Sequence, residues 1–242
     1  MAKRKAQKKS MNGIDTTFKL KDILPKTQSQ QDTFEAWEDD FHILMHGVAG
    51  TGKTFIAMYL AFKKLIESGC EPYNNVVIVR SCVQGREMGH LPGDPKEKMR
   101  EYELPYIGMV SELFGRGDAY EVLKTKNNLR FLSTSFLRGA TFDNCIVIAD
   151  EIQNYNFGEL DTLITRAGPN CKLIFCGDYT QSDLRCADER DGLQKFLDII
   201  YAMDEDFEFV EFGVEDVVRS ELVKNYIKMK IKIDNERRPV VQ

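Results

Sequence analysis

The eight residues Gly47-Val48-Ala49-Gly50-Thr51-Gly52-Lys53-Thr54 constrain this chain more than any other stretch. A glycine, four residues and then Gly-Lys-Thr is a pattern that belongs between a buried strand and the start of a helix. Both flanks are present: Phe41 to Met45 is a short apolar run suited to a strand, and Phe55 to Ser68 is helix-forming with no glycine or proline. Glycines at 47, 50 and 52 let the backbone turn its N–H groups inward, and the following helix aims its positive end at the same point. The loop therefore reads as a cradle for the phosphates of a nucleotide such as ATP. All eight residues, with Phe55 behind them, are candidate nucleotide contacts. Within them Lys53 is expected to reach the phosphate oxygens and Thr54 to ligate magnesium. A glycine turn with no ligand would not account for Lys53 and Thr54 together.

The remaining strands can be placed by their relation to that loop. Val76 to Val79, Leu129 to Leu132, Cys145 to Ala149 and Lys172 to Cys176 are short β-branched or apolar runs alternating with helical stretches, which predicts a parallel sheet covered on both faces. In such a sheet ligands sit at the carboxyl ends of the strands. The clearest of the four ends in Asp150 and Glu151. That pair fits a magnesium-side carboxylate with a neighbouring glutamate that orients or deprotonates a water. Another run delivers Gly177-Asp178-Tyr179-Thr180-Gln181, in which Gln181 is placed to sense the γ-phosphate and Asp178 to hold it or bind metal; a polar turn is the alternative. Upstream, the stretch Leu24 to Glu38 contains Gln30, whose side-chain amide can both donate to and accept from an adenine edge.

The connections carry further expectations. Ser81 to Asp94, rich in glycine with Arg86 and Pro92, is too elaborate for an ordinary turn and is expected to face the site. Pro95 to Phe114 reads as a helix that Pro105 should kink or split. Asn156 with Glu159 three residues later predicts a capped helix running towards Gly168. Asp191 to Ala202 is read as helix, Phe207 to Phe212 as an alternating strand and Glu215 to Ile231 as a final helix.

Length and charge bound the rest. At 242 residues the chain can bury a substantial core and reads as a single α/β domain. Residues 1–23 are read as a basic flexible arm, 24–232 as the nucleotide-binding domain and 233–242 as a polar tail. Lys3, Arg4, Lys5, Lys8 and Lys9 make the arm either a phosphate-binding or a solvated segment. A net charge of -5 argues against a uniformly basic surface but leaves room for a local positive groove. The six cysteines show no C-x-x-C spacing, so reduced thiols are expected rather than a zinc site or disulfide framework. No stretch approaches the roughly twenty apolar residues of a membrane span. A cytoplasmic protein without membrane partners is expected.

Several motifs, in order, then resemble one family. Gly47 to Thr54, Arg80 with Gly89-His90-Leu91-Pro92-Gly93-Asp94, Phe136-Leu137-Arg138-Gly139, Asp150-Glu151-Ile152-Gln153-Asn154, Thr165-Arg166-Ala167-Gly168, Gly177 to Gln181 and Asp216-Val217-Val218-Arg219 together are similar to the PhoH family over roughly residues 24–230. Ile152 stands where alanine is usual and Val48 where proline is frequent. The resemblance implies a P-loop NTPase of the RecA-like, helicase-like kind, with one doubly wound parallel sheet, that hydrolyses ATP with Mg²⁺. Some relatives unwind RNA and assemble as rings, so RNA or single-stranded nucleic acid and further copies of the chain, a ring hexamer foremost, are the expected partners. Several relatives carry a preceding PIN ribonuclease domain, for which there is no room here, and the short form resembles those of bacteriophages, which would place it in a bacterial host cytoplasm. Arg138, Arg166 and Arg219 compete for the role of arginine finger, with Arg166 and Arg219 favoured. Two other functions remain in play: a nucleotide-timed regulatory scaffold, and a small-molecule kinase, which Glu151 and Gln181 disfavour because they suit water as the acceptor.

Overall fold

The computed structural model describes residues 18–69, 71–82, 95–178 and 187–237, with backbone alone at 95–98, 187–190 and 234–237. In chain order the elements are α1 (Gln28–Glu38), β1 (His42–Gly47), α2 (Lys53–Glu67), β2 (Asn75–Arg80), α3 (Pro95–Phe114), α4 (Ala119–Thr125), β3 (Leu129–Ser133), β4 (Cys145–Asp150), α5 (Phe157–Thr165), β5 (Cys171–Gly177), α6 (Ala187–Tyr201), β6 (Phe207–Phe212) and α7 (Glu221–Arg237). The six strands form one sheet in the order β3-β2-β4-β5-β1-β6, and every pairing is parallel. This is the doubly wound α/β architecture of P-loop NTPases, with the phosphate loop joining β1 to α2.

Alternation along the strands explains why both faces are covered. Ile43, Met45, Val76, Ile78, Ile146, Ile148 and Ile174 point into one apolar cluster, filled by α1, α2, α3 and α4. Their neighbours Leu44, Val77, Val79, Val147, Leu173 and Phe175 point into the other, filled by α5, α6 and the short 3-10 turn Thr134–Gly139. A two-residue period with apolar residues in both phases leaves no solvent face, so helices must cover both sides. β5 lies between β1 and β4, which sets Asp150 two strands away from the phosphate-loop strand.

Several expectations need correction or refinement. Phe18 to Ile23, expected to belong to a flexible arm, is packed: Phe18 is buried edge-on against Phe114 at 5.4 Å, and the Lys21 N–H donates to the Leu113 carbonyl at 2.8 Å. Residues 1–17 lie outside the described residues. α3 runs through Pro105 without a break. Pro105 and Glu101, whose carbonyl loses its partner there, are both exposed, so water can replace the missing bond. The last helix begins at Glu221 rather than Glu215, because Asp216 turns its carboxylate back onto the Gly213 N–H at 2.8 Å and onto the Ser29 hydroxyl at 2.9 Å. It runs on to Arg237, into the stretch read as a tail. α4 has no counterpart among the expected elements; its seven residues bury Ala119, Tyr120 and Leu123 against the sheet. The capped start of α5 is as expected, with Asn156 and Glu159 exchanging side-chain and backbone bonds.

Candidate nucleotide site

The phosphate loop is shaped by what surrounds it. At Gly47 the backbone has φ +124°, and a Cβ would stand 2.1 Å from the Phe212 carbonyl oxygen. That same carbonyl accepts the Val48 N–H at 2.9 Å, so the loop leaves β1 pressed against β6. Gly47→Ala combines backbone strain with a backbone clash, each costing about 1–3 kcal/mol. Thermal denaturation is expected to show a loss on the order of 10 °C, given about 2–4 °C per kcal/mol for a chain of this size; an unchanged melting temperature would refute the close approach. Gly52, at φ +87°, opens α2 in the left-handed region with no side-chain cap, leaving the first amides of the helix directed at the loop.

Lys53 is nearly buried, and its ammonium donates to the Gly47 carbonyl at 2.9 Å, the Val48 carbonyl at 2.8 Å and the Thr51 hydroxyl at 3.3 Å. Burial lowers its pKa, while the carboxylates of Asp178, Asp150 and Glu151 oppose that shift. The loop is held from outside as well. Gln30 donates to the Thr51 carbonyl at 3.0 Å and accepts from the Lys26 N–H at 2.9 Å, and the Val218 N–H donates to the Gly50 carbonyl at 3.3 Å. The amide read from sequence as an adenine reader thus braces the loop and the chain at Lys26.

Across from the loop, β4 delivers Asp150 with both oxygens engaged. The Thr54 hydroxyl donates to Oδ1 at 2.7 Å and the Tyr106 hydroxyl to Oδ2 at 2.7 Å. Tyr106 is buried in α3, its phenol pushed well above the ordinary range by burial and by Asp150. Glu151 takes a left-handed conformation, φ 57° and ψ 44°, which turns the chain sharply at the end of the strand. Burial, then the adjacent Asp150 charge, raise its carboxyl pKa. Gln153 joins it to the next strand: its Nε2 donates to Glu151 Oε2 at 2.5 Å and its Oε1 accepts the Asp178 N–H at 3.0 Å. A side chain at Gly177 would stand 2.7 Å from Ile152 and 3.0 Å from the Gln153 oxygen, so glycine there makes room for the bridge.

These groups line one cavity of about 710 Å³. Ala49, Gly50, Gly52, Lys53, Thr54, Phe55, Gln30, Asp150, Glu151 and Arg219 all reach it; Ile23, Leu24, Phe55 and Met109 give it an apolar part. Gly47, Val48 and Thr51 support the loop from behind. Arg219 runs alongside Gly50, its Cγ 3.3 Å from where a Cβ would be. Arg138 and Arg166 are exposed and do not line the cavity; the Arg166 carbonyl accepts the Phe142 N–H just before β4 begins, at the opposite end of the sheet from the loop. Gln181 lies outside the described residues. The Thr54 hydroxyl and Asp150 carboxylate are hard oxygen donors of the kind Mg²⁺ takes in ones and twos alongside phosphate and water. Among the described residues no group of three or more His, Cys, Asp or Glu side chains could hold a metal. Sequence reasoning assigns no role to Tyr106 or Gln153. Gln153 belongs to the Asp150-to-Asn154 motif; nothing in the sequence marks Tyr106.

A model of the PhoH family, described as PhoH-like protein, matches residues 22–230. Protein PhoH of Escherichia coli K12 is 31% identical over 223 residues, covering 88% of this chain and 61% of that protein. The PhoH-like protein of Bacillus subtilis 168 is 31% identical over 216 residues, covering 89% of this chain and 66% of that one. This chain therefore spans less than two thirds of the length of these relatives. Among solved structures, the large terminase of a thermophilic bacteriophage superposes with a TM-score of 0.48 at 12% identity over 85% of this chain and 50% of that one. The Hef helicase domain of Pyrococcus furiosus gives 0.45 at 16% over 79% and 39%.

Proposed function

This chain belongs to the PhoH family, and we propose that it is a Mg²⁺-dependent ATPase that couples hydrolysis to binding or unwinding RNA or another single-stranded nucleic acid, working as a homo-oligomer, with a ring hexamer favoured. The observation that carries the ATPase reading is the convergence of Lys53, the Thr54–Asp150 pair and Glu151 on one cavity beside the phosphate loop. The loop amides and Lys53 bind the phosphates. Mg²⁺, held through Thr54 and Asp150, would neutralise charge on the β- and γ-oxygens. Glu151 accepts a proton from the attacking water as its oxygen bonds to the γ-phosphorus and the bond to the β–γ bridging oxygen breaks. Gln153 keeps the Glu151 carboxylate in position. Of the three candidate arginines, Arg219 lines its own chain's cavity, whereas Arg138 and Arg166 do not and would act on a neighbouring copy. From its position after β5, Gln181 would serve as the γ-phosphate sensor.

Residues 83–94, most of the loop read from sequence as facing the site, lie outside the described residues, and the elements on either side of them both bear on Asp150. Before them, Arg80 pairs in register with Asp150; after them, α3 sets Tyr106 on the same carboxylate. A nucleic-acid strand that contacted those flanking elements would act on Asp150. The deciding measurement is ATP turnover with and without single-stranded RNA or DNA, with Lys53→Ala as blank. Stimulation of several-fold supports the reading; turnover indifferent to both polymers favours the nucleotide-timed scaffold, and the absence of turnover removes the ATPase. Gln153→Ala should lower the turnover number about 10- to 100-fold with little change in the KM for ATP, since a misplacement of about 1 Å costs that much. An unchanged rate would remove Gln153 from the positioning of Glu151.

A further inference from the structure

Four large apolar side chains stand in water along one side of α7: Leu222 is 79% exposed, Tyr226 69%, Met229 55% and Ile233 44%. Their spacing of four, three and four residues puts them on a single stripe. Val223, Ile227 and Ile231, on a different side, are the half-buried ones. A helix that only covered its own domain would need the second set alone. The exposed stripe is flanked by Lys230 and Lys232, with Lys228 further round the helix, and Glu221 is the one acid between 221 and 233.

The complement of this surface lies on the same chain, at the edge of the sheet that β6 forms. Between 198 and 211 there are six carboxylates, Asp198, Asp204, Glu205, Asp206, Glu208 and Glu211, all exposed, and no lysine or arginine. Among them Ile199 and Tyr201 are 45% and 44% exposed, and the Tyr201 ring stacks on Phe209 at 4.2 Å to form a firm apolar platform. From this match we propose that α7 of one copy docks on the α6–β6 edge of the next, its apolar stripe on Ile199 and Tyr201 and its lysines against the acids. The proposal rests on the homo-oligomer reading above and gives it a specific surface. Such a contact is head-to-tail, so it propagates until the rotation closes into a ring.

Other occupants fit less well. Pairing α7 with itself would set lysines against lysines. The chain's own residues 1–17 carry Lys3, Arg4, Lys5, Lys8 and Lys9 and would be repelled in the same way. Nucleic acid would satisfy the lysines and leave four apolar side chains in water. Because α7 starts two residues after Arg219, a neighbour seated on it would also steady the rim of the nucleotide cavity.

The test is a charge exchange on the full chain, read as solution mass by light scattering in the presence of ATP. One variant carries Lys228→Glu, Lys230→Glu and Lys232→Glu, and a second carries Asp198→Lys, Glu205→Lys and Glu208→Lys. Each alone should run at the mass of one chain, because its two surfaces now share a sign; their equimolar mixture should regain the wild-type mass, which misfolded variants could not do. Leu222→Ser with Met229→Ser should raise the concentration needed for assembly at least tenfold. The proposal is overturned if either charge variant keeps the wild-type mass, if the mixture stays at one chain, or if the lysine variant loses only its retention of single-stranded RNA. A wild-type protein that is itself a single chain would instead overturn the oligomer reading on which the proposal stands.

Discussion

Glu151→Gln should yield a protein that binds ATP and does not turn it over. The substitution keeps the size and hydrogen-bonding reach of the side chain, so the left-handed turn after β4 and the bridge through Gln153 can persist. What it removes is the ability to accept a proton. General-base contributions are typically about 10²–10⁴-fold, and single-turnover hydrolysis should fall by that factor while equilibrium binding of labelled ATP stays within about twofold. Burial, and then the neighbouring Asp150 charge, raise the pKa of Glu151, the direction that favours proton uptake by its carboxylate. Hydrolysis at the wild-type rate would take Glu151 out of the mechanism and return attention to a scaffold in which the nucleotide is only held.

Lys53→Ala should have the complementary effect, losing the nucleotide itself. Its ammonium is the cation at the centre of the loop, with Asp150, Glu151 and Asp178 close enough to act on it. Removing one member of a buried, charge-assisted set costs about 2–5 kcal/mol, equivalent to roughly 30-fold to several-thousand-fold in affinity. The carbonyls of Gly47 and Val48 would also lose their donor, so the loop should loosen even without ATP. Titration with a fluorescent ATP analogue reads the first effect and amide hydrogen exchange across residues 47–54 reads the second. Retention of wild-type affinity would mean that the loop amides alone carry the phosphates.

The strands are legible because β-branched and apolar runs of this length have few other uses, and the phosphate loop because glycine, lysine and threonine at fixed offsets answer one geometric demand. Asp150 and Glu151 follow from their place at the end of the most apolar strand. What escapes a reading of the sequence is of another kind. Tyr106 meets Asp150 across 44 positions of sequence, and only the packing of α3 on the sheet brings them together. Local propensity favours helix from Glu215, whereas Asp216 commits its carboxylate to Gly213 and to Ser29 and delays the last helix. A proline interrupts a helix where the orphaned carbonyl is buried, and at Pro105 that carbonyl faces water. The competition among three arginines narrows through topology, since α5 carries Arg166 away from its own loop.

The support of the phosphate loop by β6 and Val218 also orders events in time. Ser29 and the Glu211 carbonyl, 182 residues apart, are joined by one hydrogen bond, and the carbonyl that receives Val48 belongs to the next residue, Phe212. A ribosome releases the glycine-rich loop early and its backing last. Until β6 and Val218 have docked, the emerging chain holds a loop braced by Gln30 at Thr51 but without the partners of the Val48 N–H and the Gly50 carbonyl. The loop's bracing is therefore complete only once Phe212 and Val218, made long after Gly47 to Thr54, have folded back onto it.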